Sequence, residues 1–268
     1  MSRNVKTLID LGMTPSRPFD IYVSEICSDS RYLKTGALFA ALPGVLAHGA
    51  SYIPDALDRG AVAVLTDKTG YDIAQSLDVH DKVAFVIAED VRATLAAAAA
   101  LWFERQPQTM VAVTGTNGKT SVASFCRQIW SELGFQAVNI GTTGVEGALT
   151  APLTHTTPDP VTLHGVLAEC CSAGITHGAM EASSHGLAQR RLDGVKISAA
   201  GFTNCTHDHL DYHESFEDYF AAKAGLFDRI LSPDGVAVLN VDDQNVNKLA
   251  ALRKSRGQPY LNVGHTNI

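Results

Sequence analysis

The stretch "VAVTGTNGKTSVASF", residues 111–125, joins an apolar run to a glycine-bearing turn and then to a helical pattern. Its centre, "GTNGKT", has the residue types and spacing to hold phosphate. The backbone N–H groups of Gly115, Thr116, Asn117, Gly118 and Lys119 can converge on phosphate oxygens, and the N-terminus of the helix that follows favours negative charge. Lys119 can bridge the outer phosphates, and the hydroxyl of Thr120 can ligate Mg²⁺. The longer eight-residue phosphate-loop pattern fails at its first position, which is Val113. The shorter G-x-x-G-K-T remains. A chance turn with a surface lysine is the bland alternative, but a strand before and a helix after favour phosphate. A dinucleotide fold is disfavoured, because no G-x-G-x-x-G follows a strand.

Two further features carry possible chemistry. "NCTHDHLDYH" gathers His207, Asp208, His209, Asp211 and His213 at one strand end, a density that points to a divalent cation. The alternative is a polar loop that caps the next helix, with most of the five structural. Glu181 in "MEASSHG" ends another strand and is a second ligand candidate, or else a helix-capping carboxylate. Lys223 is more informative. In "SFEDYFAAKAGLFDRI" it falls on the apolar stripe of Phe216, Tyr219, Phe220, Leu226, Phe227 and Ile230. A lysine rarely points inward unless it is paired or chemically altered. Snorkelling of its stem is weighed equally with function. One functional solution is carbamylation by CO₂, which turns the amine into a carboxylate able to ligate Mg²⁺. Arg191 can grip phosphate or carboxylate with two prongs, against the plain reading of a surface charge beside Arg190.

These groups need a scaffold that brings strand ends together. The first segment alternates strands ("GALFAAL", "AVAVLTD", "KVAFVIAE") with a helix over "SYIPDALDRG". A boundary near residue 89 divides the chain into 1–88 and 89–268. In the second part the strands are "MVAVTG", "QAVNIG", "HGAMEAS", "ISAAGFTN", "GVAVLNVDD" and "PYLNVG", with helices over 119–133, 160–173, 215–230 and 244–255. Strands alternating with helices imply a mostly parallel sheet covered on both faces. The expected class is therefore α/β: a small N-terminal α/β domain, then a mostly parallel-sheet, phosphate-loop ATPase-like domain. Ligands collect at the carboxyl ends of such strands, here at 115–120, 181–185, 204–213 and 240–243. The ending "LNVGHTNI" reads as a strand and the start of something further, so the central sheet is expected to be incomplete and the chain a fragment.

Composition narrows the classes. The 268 residues are 46% hydrophobic and 18% charged, with a formal net charge of −7 and a pI near 5.8. A sizeable core is available, and nonspecific nucleic-acid binding is disfavoured. Five cysteines with no C-x-x-C argue against a disulfide framework or a cysteine-built zinc site and for reduced thiols in the cytoplasm. "MSRNVKTLIDLG" lacks the apolar stretch of a signal peptide. "ATLAAAAALWF" is too short to span a bilayer and reads as a soluble helix, so no membrane insertion is expected. Oligomeric state is not legible.

"TGTNGKTS", "THTTPDP", "MEASSHGL", "FTNCTHDHLDYH", "YFAAKAGLF" and "LNVDD" together closely resemble the Mur ligases, of the MurE type. The first segment shares the resemblance through "SDSR", "GALFAALPG" and "HGASYIPDALDRGAVAVL". The resemblance implies an ATP-dependent amide ligase of peptidoglycan precursor synthesis. It would add a diamino acid to UDP-N-acetylmuramoyl-L-alanyl-D-glutamate through an acyl phosphate. Meso-diaminopimelate is the expected amino acid and L-lysine the alternative. The first domain would bind the UDP-sugar and the second ATP. By resemblance, Gly115 to Ser121 and Asn204 hold ATP; position 121 is Ser where many members carry Thr, and the hydroxyl is kept. Thr120 and Glu181 would serve one Mg²⁺, and His209 and carbamylated Lys223 a second. Ser30, Arg31, His48, Gly49 and Ala50 would hold the uracil-diphosphate end. Thr156, Thr157, Ser183, Ser184 and Arg191 would hold the muramoyl-peptide. Lys119, Lys223 and His209 carry the catalytic expectation. Nothing corresponds to the family's C-terminal domain, so these residues alone are expected to be poorly active. The competing readings are a phosphate-loop hydrolase, a zinc hydrolase built on His207, His209 and His213, and a non-catalytic UDP-sugar-binding fragment.

Overall fold

The computed structural model describes residues 5–16, 21–206 and 212–265. The chain divides into two compact units, Met1–Glu104 and Arg105–Ile268.

In the first unit a two-stranded antiparallel ribbon, β1 (Lys6–Thr7) with β2 (Tyr22–Val23), accompanies a four-stranded parallel sheet. That sheet runs in sequence order: β3 (Glu25–Cys27), β4 (Ala37–Ala40), β5 (Ala63–Thr66) and β6 (Ala84–Ile87). β4 and β5 are buried throughout. Parallel strands covered on both faces read as unbroken apolar runs, which is why "ALFA" and "AVLT" are legible as strands. Helix α1 (Ile53–Asp58) takes Pro54 in its first turn, where no amide is needed, and the chain leaves it through Gly60 at φ +92°. Helix α2 (Lys68–Ser76) is capped by Asp67, whose carboxylate accepts from the Gly70 N–H. Helix α3 (Val91–Phe103) is capped in the same way by Asp90 and ends on Glu104 in the left-handed region. It packs against β5 with Leu95, Ala96 and Ala99 buried. The units therefore part after Glu104 and not near residue 89: the alanine-rich face of α3 is apolar surface that the first sheet buries.

The second unit is a seven-stranded sheet. Its elements in chain order are β7 (Thr109–Thr114), α4 (Lys119–Glu132), β8 (Ala137–Gly141), β9 (Gly144–Gly147), α5 (Pro160–Ser172), β10 (His177–Glu181), α6 (Ser184–Ala188), β11 (Ile197–Phe202), α7 (Phe216–Gly225), β12 (Leu231–Asn240), α8 (Val246–Ser255) and β13 (Tyr260–Val263). Across the sheet the order is β13-β12-β11-β7-β10-β8-β9. Among the described residues β9 is its one antiparallel member, folded back on β8 in a hairpin. β7 enters at the centre, and later strands go to either side of it: β10 on one flank and β11 on the other. The carboxyl end of β7 is thus a topological switch point, where an open α/β sheet leaves a crevice. α4 packs over β7, β8 and β10. The main core gathers Leu163 and Leu167 of α5 with Tyr219, Phe220 and Phe227 and the inward residues of the strands.

A guanidinium is buried beside this core. The guanidinium of Arg253 on α8 is wholly buried and donates to the carbonyls of Phe227 (3.2 Å) and Gly235 (2.6 Å). Phe227 lies in a π-helical turn, Leu226–Ile230, that continues α7 towards β12. Carbonyls widened out of the regular helix ladder need a donor, and Arg253 supplies it. Arg253→Met keeps the volume but orphans both carbonyls. It is expected to lower the unfolding free energy by about 2–4 kcal/mol, measured by urea denaturation. A loss below about 0.5 kcal/mol contradicts this role.

Candidate functional site

The turn after β7 is built for close backbone approach. Gly115 has φ +149°, and a Cβ there would lie 1.8 Å from Thr203 Oγ1; Gly118, which precedes α4, has φ +89°. Only glycine fits such positions at low cost. The end of β11 supports the turn from one side. Asn117 donates its N–H to Asn204 Oδ1 (2.9 Å), Thr203 Oγ1 donates to the Asn117 carbonyl (2.7 Å), and Thr116 N–H donates to the Asn204 carbonyl (2.8 Å). α7 supports it from another. Lys223 is 1% exposed. Its Nζ donates to the Gly115 carbonyl at 2.9 Å and lies 4.2 Å from the centre of the Tyr219 ring. The Tyr219 hydroxyl is 3.0 Å from Thr116 Oγ1. Lys119 donates to the carbonyls of Gly115 (3.0 Å) and Thr116 (2.9 Å), so two ammonium groups meet at one carbonyl oxygen. The inward lysine expected from the apolar stripe of α7 is inward. Cys205 stands nearby, and burial pushes its thiol up to about 11, so it is a neutral neighbour and not a thiolate.

Glu181, at the end of β10, is 2% exposed. It accepts from Thr120 Oγ1 (2.9 Å) on Oε2 and from the Thr142 N–H (2.8 Å) on Oε1. Pairing of β10 with β8, Met180 against Ile140, brings Gly141 beside it. A Cβ on Gly141 would lie 2.0 Å from Glu181 Oε1, so glycine makes the space in which the carboxylate sits. Among the described residues its partners are hydroxyl and amide donors, and none is a cation. Carboxylate and hydroxyl oxygens are the hard donors that Mg²⁺ prefers, and the pair fits that ion. His209, together with His207, Asp208 and Asp211, lies outside the described residues. His213 is buried, its ring packed 5.3 Å from that of Tyr219 and 4.9 Å from that of Tyr212.

Beyond Glu181 the cleft of about 500 Å³ opens between the turn 116–120, Thr142, Thr156, Thr157, Ser183 and Arg191. Thr157 staples two walls: its hydroxyl donates to the Glu181 carbonyl (2.9 Å) and accepts from the Ser183 N–H (3.0 Å). Arg191 donates to the Thr157 carbonyl (2.7 Å) and to Gln189 Oε1 (2.8 Å). Ser183 caps α6 through the Gly186 N–H (3.0 Å). Ser184 is buried behind it, and its hydroxyl has no hydrogen-bond partner among the described residues, so it does not line the cleft. Ser121 is exposed on the first turn of α4. The motif reading passes over Thr142, His155 and His185, which all face the cleft. A signal for Thr142 exists: "GTTG" follows the strand "QAVNIG" at the same sheet edge. On the other side of the turn a trough of about 470 Å³ has Val122, Gly201, Val238 and Val263 for walls, with Asn117 and Asn240 at its edge.

The first unit has its own cleft, about 590 Å³, lined by Ser28 to Arg31, Gly49, Tyr52 and Asp55 among others. Arg31 pairs with Asp29 through Nε (2.9 Å) and Nη2 (2.6 Å). That pairing holds the Asp29 carboxyl below its usual range. His48 does not line this cleft. Its Nδ1 accepts from the Ala50 N–H (3.0 Å) and its Nε2 lies 3.1 Å from Asp67 Oδ1. One ring nitrogen is spent on the turn that presents Gly49 and the other on Asp67, the cap of α2, and Ala50 is buried behind the turn.

Residues 113–267 match the Mur ligase middle domain, and residues 22–103 match the Mur ligase family, catalytic domain. The chain is 52% identical over 246 residues to the UDP-N-acetylmuramoyl-L-alanyl-D-glutamate–2,6-diaminopimelate ligase of Rhizobium meliloti, covering 91% of this chain and 49% of that protein. With the ligase of the same name from Agrobacterium fabrum it shares 49% over 251 residues, covering 91% of this chain and 48% of the relative. A solved structure of a ligase of that name superposes with a TM-score of 0.83 at 28% identity, over 98% of this chain and 53% of that one. The chain spans about half the length of the curated relatives it matches.

Gly141→Ala places a methyl group where the Glu181 carboxylate lies. It is expected to cost about 1–3 kcal/mol of stability in urea unfolding and to remove the Mg²⁺ dependence of ATP-analogue binding in calorimetric titration. Wild-type values for both contradict the cradle.

Proposed function

Because the chain belongs to the Mur ligase family, we propose that it is the acid-activating part of an ATP-dependent ligase that joins 2,6-diaminopimelate to UDP-N-acetylmuramoyl-L-alanyl-D-glutamate. The observation that carries this reading is the second unit's cleft, where the phosphate-type turn, the Glu181–Thr120 pair and the Thr156–Thr157–Arg191 wall open onto one space. The activities for which the relatives are named support the choice of substrates, diaminopimelate over lysine included.

ATP lies with its phosphates against the N–H groups of Gly115 to Lys119 and its base in the apolar trough beside Asn117. Lys119 leaves the carbonyls of Gly115 and Thr116 for the outer phosphate oxygens. Thr120 and Glu181 would hold Mg²⁺, which when bound would offset the charge that builds on the phosphoryl group. The dipeptide carboxylate, kept in place by Thr156, Thr157 and Arg191, attacks the outer phosphorus, and the bond to ADP oxygen breaks. A carboxylate is a poor electrophile; as an acyl phosphate it has a good leaving group. The amine of the diamino acid then attacks the carbonyl carbon, phosphate departs with the C–O electron pair, and an amide remains. Ser30, Arg31 and Gly49 of the first unit take the uridine-diphosphate end. Carbamylation of Lys223 belongs to the same reading: it would turn a buried ammonium beside Lys119 into an anion, which with His209 would hold a second Mg²⁺. The reading sets the protein in the cytoplasm, where ATP is supplied, in agreement with five free cysteines.

The test uses dipeptide substrate labelled with ¹⁸O in the terminal carboxylate. It is run on the chain and on a chimera that adds the part of the Rhizobium meliloti relative the chain does not cover. One ¹⁸O in the released phosphate is expected, formed with the tripeptide product. Unlabelled phosphate, or ATP turnover indifferent to the dipeptide, marks a hydrolase and overturns the reading. Lys119→Ala is expected to slow labelled-phosphate release by about 100-fold or more.

A further inference from the structure

Thr142 sits where the two halves of the second unit's cleft meet, on the turn between β8 and β9. Its N–H holds Glu181 Oε1 at 2.8 Å. Its hydroxyl is 3.1 Å from Thr156 Oγ1 and 3.4 Å from Glu181 Oε2, the oxygen that also accepts from Thr120. A hydroxyl has one proton to give. Thr142 can spend it on the carboxylate or on Thr156, not on both.

We propose that Thr142 is a positioning residue that couples the cation side of the cleft to its acceptor side, an inference that rests on the ligase reading above. With a cation on Thr120 and Glu181, the carboxylate oxygen on which the two hydroxyls converge would be a weaker acceptor for the Thr142 proton. The Thr142 proton then turns to Thr156 Oγ1. Thr156, now accepting from Thr142, directs its own proton into the cleft, where an anionic acceptor group can take it. Without the cation the Thr142 proton is drawn to Glu181, and the Thr156 proton turns back to Thr142 Oγ1. Each ligand therefore prepares the site for the other, and the coupling is reciprocal. The backbone half of the arrangement does not depend on the side chain, because the N–H to Glu181 survives any substitution but proline. The hydroxyl can thus be tested with the cradle intact.

The experiment is calorimetric titration of UDP-N-acetylmuramoyl-L-alanyl-D-glutamate into the chain, with and without Mg²⁺ and a non-hydrolysable ATP analogue. Wild type is expected to bind the acceptor about fivefold more tightly when Mg²⁺ and the analogue are present, the worth of one hydrogen bond. Thr142→Val is expected to bring that ratio to about one, and Thr142→Ser to restore it. Any general weakening cancels in the ratio, so a Thr142→Val variant that keeps the wild-type ratio overturns the proposal. Wild type that binds both ligands with no coupling overturns it too and leaves the ligase reading standing. Wild type that binds neither ligand overturns both.

Discussion

A carboxylate removed from water demands compensation, and among the described residues Glu181 receives it from hydroxyl and amide donors in place of a positive side chain. Burying a charge on such terms is costly unless a cation arrives. The surroundings read as preparations for that arrival. Gly141 gives the carboxylate room, β8 and β10 pair so that the room is in the right place, and Thr120 comes to it from the first turn of α4. The switch point of the sheet supplies the reason these pieces can meet, since β7 has β10 on one side and β11 on the other.

The turn that faces Glu181 is held as firmly as the carboxylate. Asn204 and Thr203 fix Asn117 from the end of β11, while α7 reaches Gly115 and Thr116 with Lys223 and Tyr219. α7 is itself tied down through the π-helical turn and the buried Arg253. Such support is the usual means by which a site holds its geometry, because donors aimed in advance need no reorganisation when charge develops. The convergence of Lys119 and Lys223 on one carbonyl oxygen places two positive groups at the turn. In the ligase reading proposed above, a phosphate ligand would relieve that crowding on one side and a carbamate on Lys223 on the other.

Much of this was legible in the residues. The buried parallel strands announce themselves as apolar runs, the glycine positions of the turn and the inward lysine follow from type and spacing, and the pairing of Glu181 with Thr120 followed from the resemblance. The division of the chain was harder, because an alanine-rich helix looks the same whichever sheet it covers; α3 belongs to the first. β9 was missed because "GVEG" has neither strand propensity nor alternation, and its strand exists only by pairing with β8. Thr142 was missed for a related reason: its importance comes from tertiary register and not from its neighbours in sequence. His48 and Ser184 are engaged within the fold itself. Both were named from the resemblance alone; the His48 ring nitrogens meet the Ala50 N–H and Asp67, and the second serine of "SSHG" is buried.

The central claim is that the Glu181 carboxylate exists to receive a divalent cation at the phosphate turn. It is tested most directly by titrating a non-hydrolysable ATP analogue into Glu181→Gln and wild-type protein, with and without Mg²⁺. The account predicts that Mg²⁺ tightens binding to wild type by at least about tenfold and leaves binding to Glu181→Gln unchanged. An equal Mg²⁺ effect on both proteins would contradict it.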